Sequence, residues 1–266
     1  MKETTYEDEG LVQKPGMLEV SDVSFVYPGG EKIYEDFNLS AFPGQIIGVT
    51  GAVACGKSTL GKTFLCEYPY EGRIRFHGKE LSEMTKAERT GMIGYLGHDP
   101  ELFNDSVRNN ILLGDDDDPE KYLKAVCFDG EVAEMEEGMD TIVGNGGVRL
   151  SGGQAQRLAL ARTLCHKRPV LILDDPFSAL DRKTEEEVFA NLRKFTADSI
   201  VILLSHRLYL FPEMDQVLWM EAGKVTAGTH EQILEKFPEY ARLYEAQADG
   251  ADAHSTQEGG LDHAEK

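Results

Sequence analysis

The sequence predicts an α/β domain with a largely parallel sheet. Three observations carry that prediction. Short, largely apolar runs stand at Gln45–Thr50 (QIIGVT), Val170–Leu173 and Ile200–Leu204; helix-compatible stretches separate them; and turn residues bound them. A run apolar on both faces suits a strand covered on both sides, as in a parallel sheet. With 266 residues, 41% of them hydrophobic, the chain can bury a real core as one large domain or two lobes.

In chain order, residues 1–16 are polar and charged, contain Pro15-Gly16, and read as a linker or disordered lead-in. Order is expected from Met17, where Leu18, Val20, Val23, Phe25 and Tyr27 fall near strand spacing before the turn Pro28-Gly29-Gly30. Pro43-Gly44 turns the chain into Gln45–Thr50, and a glycine-rich loop then leads to a helix-compatible stretch from Lys57 to about Cys66. Glu71–Gly78 alternates like a strand, while Leu81 to Lys167 is richer in helix formers. The runs Val170–Leu173 and Ile200–Leu204 flank a helix-like segment, Thr184–Lys194. Residues 246–266 have little to bury and read as an acidic disordered tail, which leaves residues 17–245 as the folded domain.

Twenty-seven basic against 47 acidic residues give a net charge of −20, which argues against a surface that grips nucleic acid or anionic lipid non-specifically and leaves local basic sites open. No nucleic-acid partner is expected. The four cysteines (Cys55, Cys66, Cys127, Cys165) form no C-x-x-C pair and suggest no disulfide framework. The first residues lack the apolar core of a signal peptide, and no apolar run is long enough to cross a bilayer. A soluble chain of a reducing compartment is expected, so a membrane span would have to come from a partner.

The strongest chemical signal is Gly51-Ala52-Val53-Ala54-Cys55-Gly56-Lys57-Ser58-Thr59, which fits G-x-x-x-x-G-K-[ST] directly after a strand and before a helix. Glycines let backbone N–H groups curl around phosphate oxygens, and the helix N-terminus adds positive potential. Lys57 can then reach the β- and γ-phosphates of a bound nucleotide, and Ser58 can offer its hydroxyl to Mg²⁺. The second signal is Val170-Leu-Ile-Leu-Asp174-Asp175: a buried parallel strand with two carboxylates at its C-terminal end, where ligands bind in such sheets. Asp174 is placed to hold Mg²⁺ through water, and Asp175 to orient or deprotonate the attacking water; Asp175 could instead cap the turn at Pro176. The third is Leu150-Ser151-Gly152-Gly153-Gln154. It reads both as a capping box and as a helix N-terminus presenting free N–H groups to an anion.

With these three motifs the chain resembles the nucleotide-binding domain of ATP-binding cassette (ABC) transporters, whose signature is LSGGQ. The resemblance covers about residues 17–240. It implies a RecA-like P-loop NTPase core, an antiparallel β lobe near the N-terminus and an inserted helical subdomain at about residues 104–165. It further implies that Tyr27 of Val23-Ser-Phe-Val-Tyr27 stacks on adenine. Ser178-Ala-Leu-Asp181 resembles the D-loop, and His206 of Ser205-His206-Arg207 resembles the switch histidine that senses the γ-phosphate. In the family two such domains dimerise head to tail, each ATP lying between one phosphate loop and the other chain's signature. Leu102–Ile111, Thr141–Gly147 and Gly228-Thr-His-Glu231 resemble the exporter branch, in which the domain is normally fused to a membrane domain. The resemblance therefore leaves an excised piece and a separately encoded subunit as two readings. It implies a transmembrane partner and a place on the cytoplasmic face of the membrane.

Two positions depart from the family pattern. Asp175 stands where the family carries a catalytic Glu, and His98, in Gly94-Tyr-Leu-Gly-His98-Asp-Pro, stands where it carries the metal- and water-contacting Gln of the Q-loop. Losing a methylene retracts the carboxylate by roughly 1.5 Å, and misplacement on the order of 1 Å can cost about a hundredfold in rate. With LSGGQ intact, the pattern resembles the degenerate-site half of a heterodimeric exporter. An active homodimer that tolerates both changes, a near non-hydrolysing regulatory subunit and a soluble ABC ATPase remain the alternatives. The run Asp115–Asp118 reads as a solvated acidic loop rather than a cation site. Cys55 lies inside the phosphate loop, either as a small residue that fits or as a reactive thiol. On the second reading, a thiol-alkylating reagent should label Cys55 and ATP should block the labelling; equal labelling with and without ATP would overturn it.

Overall fold

The computed structural model describes residues 16–52, 54–144, 146–177 and 180–255, with side-chain surroundings through Gln247. Residues 1–15 of the lead-in expected over residues 1–16, and the end of the tail, residues 256–266, lie outside the described residues. The first half of the chain holds β1 (Leu18–Val26), β2 (Lys32–Ala41), β3 (Ile46–Gly51), α1 (Lys57–Thr63), β4 (Glu71–Phe76), β5 (Lys79–Glu80), α2 (Lys86–Met92) and β6 (Ile93–Leu96). Then come β7 (Asp105–Ser106), α3 (Val107–Leu112), α4 (Glu120–Ala125), α5 (Asp129–Ala133), β8 (Ile142–Val143) and α6 (Gly152–Cys165). The chain continues through β9 (Val170–Asp174), α7 (Arg182–Phe195), β10 (Ile200–Leu204), β11 (Gln216–Glu221), β12 (Lys224–Gly228), α8 (His230–Lys236) and α9 (Pro238–Ser255).

The strands form one sheet in the order β5-β4-β1-β2-β12-β11-β3-β10-β9-β6. Its core is parallel, with β11, β3, β10, β9 and β6 running the same way, while β1, β2, β4 and β5 pair antiparallel as a lobe at the other end. Period-two alternation divides the core strands between two apolar layers. Val170 and Ile172 of β9, with Ile200, Ile202 and Leu204 of β10, pack on the side that holds α1 and the antiparallel lobe. Leu171, Leu173, Val201 and Leu203 pack on the side of α6 and α7. Each such buried aliphatic side chain contributes about 1.5–3 kcal/mol.

The uneven spacing of apolar residues in β1 has a structural reason. Leu18 and Val20 share a face with Val23 and Phe25 only if one extra residue is inserted, and the pairing with β2 shifts register between Val20 and Val23. Asp22 takes the left-handed conformation there (φ 51°), and Asp36 does so opposite (φ 52°). The freed amides are satisfied: Asp22 N–H donates to Asn38 Oδ1 at 3.0 Å, and Asp36 N–H to Ser24 Oγ at 3.1 Å. The outcome is that Leu18, Val20, Val23 and Phe25 are all buried.

Helices α3 to α6, with the short β7–β8 pair, fill the stretch between β6 and β9. The tail expected from residue 246 is shortened, because α9 runs to Ser255. Alanine-rich sequence favours helix, and Tyr240, fully buried against Trp219 and Phe211, docks the first turns. In the acidic loop Asp117 accepts from Lys121 and Tyr122, and Asp118 accepts from the N–H of Glu120 at the start of α4. No group of His, Cys, Asp or Glu among the described residues is arranged to hold a metal. No helix among them is long and apolar enough to cross a membrane.

Candidate active site

Parallel pairing gathers the phosphate loop, Asp174-Asp175 and Ser205–Arg207 at the C-terminal ends of three interior strands. β3 and β9 flank β10, with Leu204 opposite both Val49 and Asp174. The ladders extend past the strands: Ser205 N–H donates to Val49 O at 3.0 Å, and Asp175 N–H to Leu204 O at 2.8 Å. The phosphate loop, the acidic pair and the Ser205–Arg207 segment thus leave the sheet side by side.

The loop needs its two motif glycines for close approach. A Cβ on Gly51 would stand 2.3 Å from the carbonyl oxygen of Met220, and one on Gly56 (φ 101°) 2.4 Å from Ile33 Cγ2. Lys57 is buried, and its Nζ donates to the carbonyls of Gly51 and Ala52 at 3.2 and 3.0 Å, so the ammonium faces the inside of the loop. Ala52, Ala54 and Ser58 are exposed, and Cys55 is half-buried. Val53 lies outside the described residues. The hydroxyls of Tyr27 and Thr59 are hydrogen-bonded at 3.1 Å. This bond fixes the half-buried Tyr27 ring beside the loop, edge-on to Phe25 and Tyr68 at 5.0 and 5.4 Å.

Asp174 is buried and accepts a hydrogen bond from the Tyr95 hydroxyl at 3.2 Å. Tyr95 lies 79 residues away on β6, and no sequence signal marked it. Asp175 adopts a left-handed backbone (φ 50°), which turns its side chain out of the strand's alternation. Burial pushes its carboxyl above the usual range, opposed by the nearby His206, His98 and Arg207. His98 Nδ1 stands 3.9 Å from Asp175 Oδ2, with the His98 side chain 56% exposed. The two departures from the family pattern are therefore neighbours in space. His206 is held below the ordinary imidazole range by burial and by the Lys57 charge, with the nearby carboxylates opposing. The oxygen donors Ser58 and Asp174, beside a loop whose two glycines pack too closely against Met220 and Ile33 to carry a side chain, fit a phosphate group and a hard cation such as Mg²⁺.

Ser151 caps α6 in a reciprocal box: Gln154 N–H donates to Ser151 Oγ at 3.2 Å, and Ser151 N–H to Gln154 Oε1 at 2.8 Å. Gln154 Nε2 donates to Glu131 of α5 at 2.8 Å, which ties the cap to the helical region. A Cβ on Gly152 would meet nothing within 4 Å, so the chain's own packing does not require glycine there. α6 packs beside β6, three strand positions from β3, a separation of roughly 14 Å at the usual strand spacing. Among the described residues no hydrogen bond joins this cap to the phosphate loop. Ser178 and Ala179 lie outside the described residues, and Asp181 caps α7, its two oxygens accepting from Thr184 N–H and Oγ1 at 3.0 and 2.7 Å.

Residues 34–178, more than half of the chain, match the family model described as ABC transporter. The chain belongs to the ABC transporter family. It is the ATPase domain of that family, built on the P-loop NTPase fold. It is 36% identical to the ATP-dependent lipid A-core flippase of Pseudomonas aeruginosa, over 92% of this chain and 42% of that protein. It is 35% identical to the probable multidrug resistance ABC transporter ATP-binding/permease protein YheI of Bacillus subtilis, over 89% of this chain and 42% of the relative. With ATP-binding cassette sub-family B member 6 of Xenopus tropicalis it shares 34% identity, over 92% of this chain and 30% of the relative. The ATP-bound structure of a bacterial Atm1-family ABC exporter superimposes with a TM-score of 0.81 at 30% identity, covering 90% of this chain and 43% of that one. This chain thus spans less than half the length of these relatives.

In this ABC ATPase domain the start of α7 is bonded to the segment after β10, a link the sequence did not reveal. Arg207 donates to Glu185 Oε2 at 2.7 Å and to Leu180 O at 3.2 Å, and Tyr209 donates to the same Glu185 oxygen. Glu185 is completely buried, its Oε1 has no hydrogen-bond partner among the described residues, and burial pushes its carboxyl up to about 7 despite those donors. The folded protein therefore holds a proton that the unfolded chain releases between its ordinary value of 4.5 and about 7. That contribution to stability is full below pH 4.5 and is lost as pH rises through about 7. Thermal denaturation of Glu185→Gln across this window should show a flatter decline of Tm with rising pH than the parent shows; an unchanged slope would refute the assignment.

Proposed function

We propose that this chain is the ATP-binding engine of a membrane exporter, with an impaired hydrolytic site of its own and an intact signature that serves a different partner domain. One observation carries this reading: His98 and Asp175, the two departures from the family pattern, face each other at 3.9 Å at the end of β9. The shortened carboxylate stands back from where a longer side chain would meet an attacking water, and the His98 ring 3.9 Å away occupies the place of the amide that would contact that water. Imidazole also suits Mg²⁺ less well than an amide oxygen does. The open space over Gly152, where a Cβ would meet no atom of this chain, supports a second nucleotide-binding domain completing each ATP site.

In this reading Tyr27 stacks on adenine, the loop amides from Gly51 to Thr59 and Lys57 hold the phosphates, and Ser58 and Asp174 hold Mg²⁺. The cation, when bound, neutralises charge developing on the transferred phosphoryl group. Tyr95 fixes one oxygen of Asp174 and His206 faces the γ-phosphate. Asp175 is left to act on water from a retracted position. Ser151 to Gln154, and Asp181 near the interface, contact the opposite site. The flippase and multidrug names of the relatives support export through a transmembrane partner, with this domain on the cytoplasmic face.

The test is steady-state Mg-ATP hydrolysis by the purified chain beside a His98→Gln/Asp175→Glu double variant. A nearly silent parent and a double variant faster by about a hundredfold are expected. Brisk turnover by the parent would overturn the impaired site and favour a self-sufficient homodimer.

A further inference from the structure

His206 follows β10 on a segment whose neighbours are each tied down separately. Ser205 is buried, and its hydroxyl accepts the N–H of Arg207 at 3.0 Å. The guanidinium of Arg207 is bonded to Glu185 and Leu180. Beyond it, Gln247 of α9 makes two bonds to the backbone on either side of Arg207. Its Nε2 donates to His206 O at 2.8 Å, and its Oε1 accepts Leu208 N–H at 2.8 Å. An uncharged amide can donate from its nitrogen and accept at its oxygen at once. A carbonyl and an amide that would otherwise hydrogen-bond to water are thereby fixed relative to a helix.

That helix is itself anchored. Tyr240 is fully buried, its hydroxyl is bonded to His230 Nδ1 at 2.7 Å, and its ring packs edge-on against Trp219 at 5.4 Å. Gln247 stands seven positions further on, two helical turns along the same face, so the buried tyrosine sets where the amide sits. The chain of support runs from the core through α9 to the backbone that carries His206.

We propose that Gln247 is a positioning residue for the nucleotide site: the C-terminal helix, through this one side chain, sets the backbone that aims His206. The inference rests on the reading of His206 as the group facing the γ-phosphate. It predicts that α9 affects discrimination between ATP and ADP, since only ATP carries the group His206 would meet. A role confined to packing would change both affinities alike.

The experiment uses the whole chain with Gln247→Leu, which keeps bulk and removes both bonds, Gln247→Glu, which keeps the acceptor for Leu208, and His206→Ala. Hydrogen exchange at the Leu208 amide and the affinities for Mg-ATP and Mg-ADP are measured on each. Gln247→Leu should expose Leu208 to exchange and lower the ATP-over-ADP preference by about threefold to tenfold, the loss of one ordinary hydrogen bond, with ADP affinity kept. Gln247→Glu should keep Leu208 protected and recover part of the preference; it also carries the test if the leucine variant folds poorly. An unchanged ATP-over-ADP preference in Gln247→Leu, with His206→Ala lowering it, would overturn the positioning role alone. If His206→Ala itself leaves the preference unchanged, the reading of His206 fails and the proposal falls with it.

Discussion

Everything at the nucleotide site depends on the parallel ladder of β3, β10 and β9. Their side chains are buried on both faces, so the strands cannot slip by one residue without turning an apolar set toward the wrong layer. That register fixes Val49, Leu204 and Asp174 level with one another. The next residues of each strand, which lead into the phosphate loop, the Ser205–Arg207 segment and the second aspartate, must then emerge together. The chemistry is placed by hydrophobic packing that takes no part in it.

Around this edge the polar groups form a second level of organisation. Lys57 is held by carbonyls of its own loop, Asp174 by Tyr95, and Arg207 by Glu185. Each link joins separate elements of the fold. The proximity of His98 to Asp175 belongs to this level. Two substitutions that look independent along the chain act on one carboxylate, which is why the impaired-site reading treats them together.

The cap of α6 shows how one feature serves two purposes. Ser151 and Gln154 satisfy the first amides of the helix, which any helix start requires. A Cβ on Gly152 between them would meet no atom within 4 Å, so packing within this chain does not require glycine there. Local stability accounts for the serine and glutamine; in the proposed reading, an approaching partner domain accounts for the glycine.

The sequence by itself determined the strand–loop–helix of the phosphate site, the apolar strand ending in Asp174-Asp175 and the capped start of α6. Each is local, set by glycine, by apolar runs or by a cap three residues long, and so readable from neighbours in the chain. It also showed the odd spacing of Leu18, Val20, Val23 and Phe25, but the bulge that reconciles them needed β2 alongside. Only the tertiary structure brought Tyr95 to Asp174, Arg207 to Glu185, Gln247 to His206 and His98 to Asp175, and only it extended α9 through residues that look like a tail. These contacts join residues many positions apart, with no repeating pattern to announce them. They exist because the sheet register and helix packing put the elements there, and hydrogen bonds of a few ångströms then take what the packing offers.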